Sequence, residues 1–127
     1  MNSGRVATLS SINPPQRGEV WLVKLDPTVG AEIKKIRPAV VISSDAVGRL
    51  SIKLVAPVTD WKDRYARNIW HVYIEPDSMN GLSKPSAVDA LQLRGLDYQR
   101  FIRKLGEVSS TMLDEICVAV CSIIEYP

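Results

Sequence analysis

Along most of this chain apolar and polar residues alternate with a period of two, and only near the C-terminus does the spacing lengthen to that of a helix. From Gly18 to Leu25, Val20 and Leu22 fall on one phase and Trp21 and Val23 on the other, a first strand that Asp26-Pro27 breaks. Gly30 permits a reversal. Pro38 to Ile42 is a continuous apolar run closed by Ser43-Ser44, a second strand. A turn or short helical piece over 45–50 leads to a third, Ser51 to Thr59, with Ile52, Leu54, Ala56 and Val58 on its buried side. Pro57 suits an edge or a strand terminus, which places Thr59 where the chain leaves the sheet. Ile69 to Ile74 is a fourth strand, with Trp70, Val72 and Ile74 facing one way and His71 and Tyr73 the other. After the turn signal Asn80-Gly81, Ser86 to Arg94 continues as a strand and Gly95 ends or kinks it. Leu96 to Arg103 reads as a short strand and a helical turn, and Gly106 interrupts the chain.

Ser109 to Tyr126 is the clearest helix. Ser109 or Ser110 caps it, and Leu113, Ile116, Cys117, Val120, Ile123 and Ile124 share a face. Val118, Ala119 and Cys121 widen that face beyond what one sheet covers, room for a second copy of the chain. Five or more short strands and one C-terminal helix make a mainly β (α+β) fold, a small barrel or curled sheet with a helix packed on it. Residues 17–127 form one domain. Residues 1–16, rich in Ser, Gly, Asn and Pro, read as a flexible N-terminal tail.

Composition narrows the function classes. A chain of 127 residues with 46% apolar and 24% charged residues is a globular domain with one core. A net charge of +2 does not announce a nucleic-acid binder, so that case rests on where the charges sit. No apolar run approaches the length a bilayer demands and the N-terminus lacks a secretory h-region, which makes the cytoplasm the expected location. Cys117 and Cys121, four apart on a helix, are expected as buried free thiols. Two cysteines and one distant histidine are no recognised ligand spacing, so neither a metal nor a cofactor is expected.

Two loops carry candidate chemistry. The first, between strands one and two, holds Glu32, Lys34, Lys35 and Arg37, which by local pattern favour a solvated ion-pair cluster over a phosphate site, since most loop charges are solvated. The second, Asp60 to Asn68, interleaves Lys62, Arg64 and Arg67 with Trp61 and Tyr65. That suits single-stranded nucleic acid through charge and stacking, or a solvated loop with two anchoring aromatics. His71 is the one histidine and reads as a surface or partly buried strand residue.

The run R-G-E-V-W-x-V-x-L-D-P-x-x-G-x-E from Arg17 to Glu32, followed by R-P-A-V-V-I-S from Arg37, resembles the opening of the MazF/PemK family of toxin ribonucleases. Ala56-Pro57-Val58-Thr59, Gln92-Leu93-Arg94 and Lys104-Leu105-Gly106 continue the likeness over nearly the whole chain. The resemblance implies an SH3-like barrel of antiparallel strands with a C-terminal helix, usually a homodimer. It further implies a metal-independent, sequence-selective endoribonuclease of a type II toxin–antitoxin system, inhibited by a MazE-like antitoxin. Glu32 would then be the general base, on a mobile loop that offers its carboxylate when RNA binds. Arg37 and Thr59 would be the other catalytic residues. RNA contacts are expected at Arg17, Lys34, Lys35, Trp61, Arg64, Arg67, Gln92 and Arg94. One departure is visible: relatives carry an acid directly before the glutamine, whereas this chain has Leu91, with Asp89 two positions earlier.

RNA brings its own nucleophile, the 2′-OH. A base, donors for the charge building on phosphorus and a grip on the extended strand suffice to cut it to a 2′,3′-cyclic phosphate. Rival readings on the same fold stay open: a CcdB-like toxin that acts on gyrase, or a member that binds RNA or antitoxin without cutting.

Overall fold

The computed structural model describes residues 14–47 and 50–127. Among these, seven strands form one antiparallel sheet and a single α-helix closes the chain. The strands are β1 (Glu19–Lys24), β2 (Ile36–Val41), β3 (Ile52–Asp60), β4 (His71–Ile74), β5 (Ser86–Asp89), β6 (Arg94–Asp97) and β7 (Phe101–Glu107); the helix is α1 (Ser110–Ile123). The strand order is β4-β5-β3-β2-β1-β7, with β6 joined to β3. The expected tail falls mostly outside the described residues, as do Gly48 and Arg49; Pro14 to Gln16 lead directly into β1.

The period-two pattern buries both faces of the central strands. Val20, Val40, Ile42, Ala56 and Val58 face α1 and pack around its Ile116. The alternate residues Trp21, Val23, Ala39, Val41 and Val55 face inward with Leu96 and Phe101, where the sheet curls over itself. Trp21 meets Phe101 edge-on at 5.7 Å between ring centres. Each fully buried Val, Leu or Ile contributes about 1.5–3 kcal/mol, whereas an exposed ion pair such as Lys84–Asp60 contributes roughly 0–1, so the two apolar layers decide the fold.

β3 holds the sheet together by sharing one edge. One side pairs with β2 over Val55–Pro57; the other pairs with β6 over Ile52–Val55 and then with β5 over Val58–Asp60. Pro57 lies at the hand-over between these two partners, where a residue without an N–H is tolerated. It is therefore neither an edge nor an end, and Thr59 stays in the sheet, paired with Ala87.

The segment after β5 departs from the expected continuous strand. The Asp89 carboxylate accepts from the Leu91 and Gln92 amides at 3.0 and 3.2 Å, which turns the chain into a short 3-10 helix over Ala90–Gln92. Asp97 repeats the device at Gln99 N, 2.9 Å, before β7. Gly106 lies inside β7 rather than interrupting the chain. Ser109 caps α1 as expected, its hydroxyl accepting from Met112 N at 3.1 Å. Cys117 and Cys121 are free but only half-buried, a correction that follows from their place on the helix flank.

The turn 77–82 is fixed by buried Asn80, whose amide oxygen accepts from Asp77 and Leu82 and whose nitrogen donates to Glu75 O. It nests against β7 so closely that a Cβ on Gly106 would lie 2.1 Å from Met79 O, and one on Gly81 2.2 Å from Leu105 O. Gly106→Ala is expected to destabilise the fold by about 1–3 kcal/mol through overpacking against backbone. Urea denaturation followed by tryptophan fluorescence measures it, and an unchanged midpoint would refute the contact.

Candidate active site

Two cavities lie at the end of the sheet where β2 begins and β3 ends. They are one step apart on β3: Pro57 lines one, Val58 and Thr59 the other.

The first cavity, about 350 Å³, has an apolar floor of Leu22, Pro38, Val58 and Leu105. Arg37, Thr59, Asp60, Lys84, Ser86 and Arg103 supply its polar groups. Register explains the convergence. Leu22 pairs with Pro38 on one side and Arg103 on the other, which brings β2 and β7 to the same floor. Thr59 and Asp60 pair with Ala87 and Ser86, which brings in the chain beyond the Asn80 turn. No residue of α1 lines this part of the sheet, so it stays open.

Three cations face one carboxylate here. Lys84 Nζ and Asp60 Oδ2 are 3.1 Å apart, both exposed. Among the described residues no acceptor engages the guanidinium of Arg37 or of Arg103. Two free guanidiniums and a threonine hydroxyl above an apolar floor suit a phosphodiester, since charge-assisted donors to phosphate are the stronger hydrogen bonds. Sequence reasoning found Arg37 and Thr59 but missed Lys84 and Arg103. Neither carries a local signal, because each reaches the site only through closure of the sheet.

The second cavity, about 390 Å³, is lined by Glu32, Ile33, Pro57, Leu91, Gln92, Leu93 and Arg94. The structure thus separates Glu32 from Arg37 and Thr59. Glu32 Oε1 accepts from Val29 N at 2.8 Å within its own turn. In this structure the loop is tied to the sheet by side chains. Gln92 takes Ile33 N at 2.6 Å and donates to Ala31 O at 3.3 Å. Arg94 donates to Leu25 O at 3.3 Å, and Arg100 to Lys24 O and Asp26 O. Lys35 closes the loop in the left-handed region, φ 70°, its carbonyl receiving Leu25 N at 2.8 Å.

Other expected contacts lie elsewhere. Arg17 is exposed yet engaged by the fold, donating to Ile42 O just after β2 and to Cys117 Sγ of α1 at 3.7 Å. Lys34 and Lys35 are exposed and line neither cavity. Trp61 meets Tyr65 and Tyr73 edge-on at 5.9 and 4.8 Å, and Arg64 lies 5.3 Å over Tyr65. Arg67 is exposed beside them on the 3-10 turn Asp63–Arg67. These aromatics anchor the loop, and neither Trp61 nor Arg64 lines either of these two cavities.

His71 is partly buried, as expected of a strand residue, stacked on Tyr65 at 3.8 Å between ring centres. Its Nε2 lies 3.4 Å from Asp89 Oδ2 and its Nδ1 3.1 Å from Asn68 Nδ2. Desolvation holds its pKa below 6.5, with nearby Arg64 adding to the depression, while the Asp89 carboxylate opposes it. The unfolded chain therefore binds the proton first. The stability this group contributes is present above about pH 6.5 and is lost as pH falls through the lower folded value. Thermal unfolding at pH 7.5 and 5.5 is expected to show an acid loss that shrinks in His71→Phe. An equal loss in both proteins would contradict this.

A curled antiparallel sheet with one C-terminal helix and an open, cation-lined groove at the free end of β2 is the frame of a small toxin nuclease. The chain belongs to the family described as "PemK-like, MazF-like toxin of type II toxin-antitoxin system", whose model matches residues 16–124. It is 33% identical over 111 residues to endoribonuclease MazF9 of Mycobacterium tuberculosis, covering 80% of this chain and 88% of that one. Endoribonuclease EndoA of Bacillus subtilis is 29% identical over 101 residues, covering 80% and 86%. Among solved structures, MazF of Deinococcus radiodurans superposes with a TM-score of 0.74 at 26% identity, covering 87% of this chain and 96% of that one.

Proposed function

We propose that this protein is a toxin endoribonuclease that cuts single-stranded RNA by attack of the 2′-OH on the adjacent phosphorus. The observation that carries this reading is the convergence of Arg37, Thr59 and Arg103 on one groove within a chain of this family. The 2′-OH gives its proton to the base, the new 2′-O–P bond closes a 2′,3′-cyclic phosphate as the P–O5′ bond breaks, and the 5′-oxygen leaves as a hydroxyl by taking a proton from solvent water. A guanidinium, with a pKa above about 12, holds its proton, so Arg37 serves as a double donor to the charge on phosphorus rather than as an acid. Thr59 donates a further hydrogen bond. Glu32 is assigned as the base on the 2′-OH, and an RNA strand following β3 would pass from one cavity to the other. Lys84 and Arg103 hold flanking phosphates. No metal or cofactor is needed for these steps.

Residues 17–127 act as one toxin domain in this reading. Among the described residues no helix is long and apolar enough to cross a membrane, and a single-stranded RNA substrate supports a cytoplasmic location. A Deinococcus radiodurans relative, 26% identical with a TM-score of 0.65, is known as a MazE–MazF complex, which supports a MazE-like antitoxin as partner here. Exposed Ile52 and Leu54 on β3 and Val118 on α1, at 51%, 37% and 64% exposure, support pairing with a second copy.

Purified protein with a mixed-sequence single-stranded RNA and EDTA is expected to give discrete cuts. Arg37→Ala should slow them at least about a hundredfold, the scale of losing a charge-stabilising donor. A 2′-deoxy substitution at the cut site should abolish cleavage; persistent cutting would refute the 2′-OH mechanism. Intact RNA alongside inhibited supercoiling would instead favour the gyrase-directed reading.

A further inference from the structure

The resemblance makes Gln92 an RNA contact, yet its amide is turned onto the chain's own groups. An amide side chain offers two N–H donors and an oxygen with two lone pairs, and here both donors and one lone pair are engaged. The oxygen takes Ile33 N at 2.6 Å, and the nitrogen donates to Ala31 O at 3.3 Å and Asp89 Oδ2 at 3.4 Å. Both backbone partners flank Glu32. Behind it, Asp89 is 4% exposed and equally committed. Its Oδ1 accepts from Leu91 N and Gln92 N, and its Oδ2 accepts from Gln92 and His71. His71 gives its Nε2–H to Asp89 while its Nδ1 receives Asn68 Nδ2, which assigns the tautomer from the partners. An unbroken chain of polar contacts therefore runs from the aromatic loop through β4 and β5 to the two residues on either side of Glu32.

We propose that Gln92, oriented by Asp89 and His71, is a positioning residue that fixes Glu32 by clamping the backbone at Ala31 and Ile33. The inference rests on the proposed role of Glu32 and adds the residues that aim it. Arg94 and Arg100 hold the start of the same loop, at Leu25, Lys24 and Asp26; Val29 bonds Glu32 from within its own turn, and among the described residues Gln92 is the side chain from another part of the fold that grips the chain on both sides of the carboxylate. The missing acid before Gln92, noted in the sequence, has a counterpart here: Asp89, three residues back across a 3-10 turn, places a carboxylate against the same glutamine.

The experiment compares kcat and KM on the RNA that the wild-type protein cuts, for Gln92→Ala, Glu32→Gln and the double variant, with thermal unfolding to confirm folding. Gln92→Met, of similar shape but without the amide, takes the place of Gln92→Ala if the latter does not fold. Misplacing a base by about 1 Å costs up to about 100-fold, so Gln92→Ala is expected to lower kcat by about 10–100-fold with KM within about twofold. Because Gln92 acts through Glu32, the double variant should be no slower than Glu32→Gln alone. A raised KM with kcat retained would overturn the inference in favour of a direct RNA contact. Losses that multiply in the double variant, or a fully active Gln92→Ala beside an impaired Glu32→Gln, would overturn it as well. Full activity of Glu32→Gln would instead bring down the assignment of Glu32 as base, and the inference with it.

Discussion

The middle of the sheet buries both of its faces, whereas Ile52 and Leu54 at the start of β3, expected on its buried side, are exposed. β1, β2 and the second half of β3 bury alternate residues on opposite sides, and each side demands a different cover. One is satisfied when the sheet curls so that Trp21, Val55, Leu96 and Phe101 meet; the other when α1 lays Ile116 over Val20, Val40 and Ala56. An open flat sheet satisfies neither, so curvature is imposed by the core rather than added to it. β3 makes the curl possible by dividing one edge between β6 and β5, which go different ways.

The groove is a consequence of the same arithmetic. No residue of α1 lines the cavity at Leu22 and Pro38, so the helix-facing side of β1 and β2 is left open there. At that point the chain changes from apolar to cationic, with Arg37 on one side and Arg103 on the other. An apolar floor ringed by guanidiniums is a poor place for a side chain and a good one for a strand that carries phosphate along one edge and bases along the other.

Much of this was legible in the residues. Alternation located β1 through β4, and the Ser109 cap and helical spacing located α1. Arg37 and Thr59 were legible from the motifs that resemble the family. What was not legible depended on side chains acting as backbone partners. Asp89 and Asp97 each end a strand by accepting amide protons, and no pattern of apolar residues reports that. Pro57 misled because its tolerance comes from a change of partner on the far edge of β3. Glu32 read as part of one charged loop with Arg37, but five residues of tethered chain carry the two into separate cavities. Arg17, Gln92 and Arg94 were expected at the RNA from the resemblance; the structure shows each of them also donating to a carbonyl of its own fold, which no local pattern reports.

The contact of Gly81 and Gly106 across the turn and β7 has a bearing on how such a protein diversifies. The two walls of the groove meet there through main chain alone, Gly81 against Leu105 and Gly106 against Met79. The width of the groove is therefore independent of the side chains that decorate it. A lining residue such as Ser83, to which no part of the chemistry falls, can be exchanged over evolutionary time without the walls shifting, so one scaffold can vary the surface its groove presents while the positions of Arg37 and Thr59 are inherited unchanged.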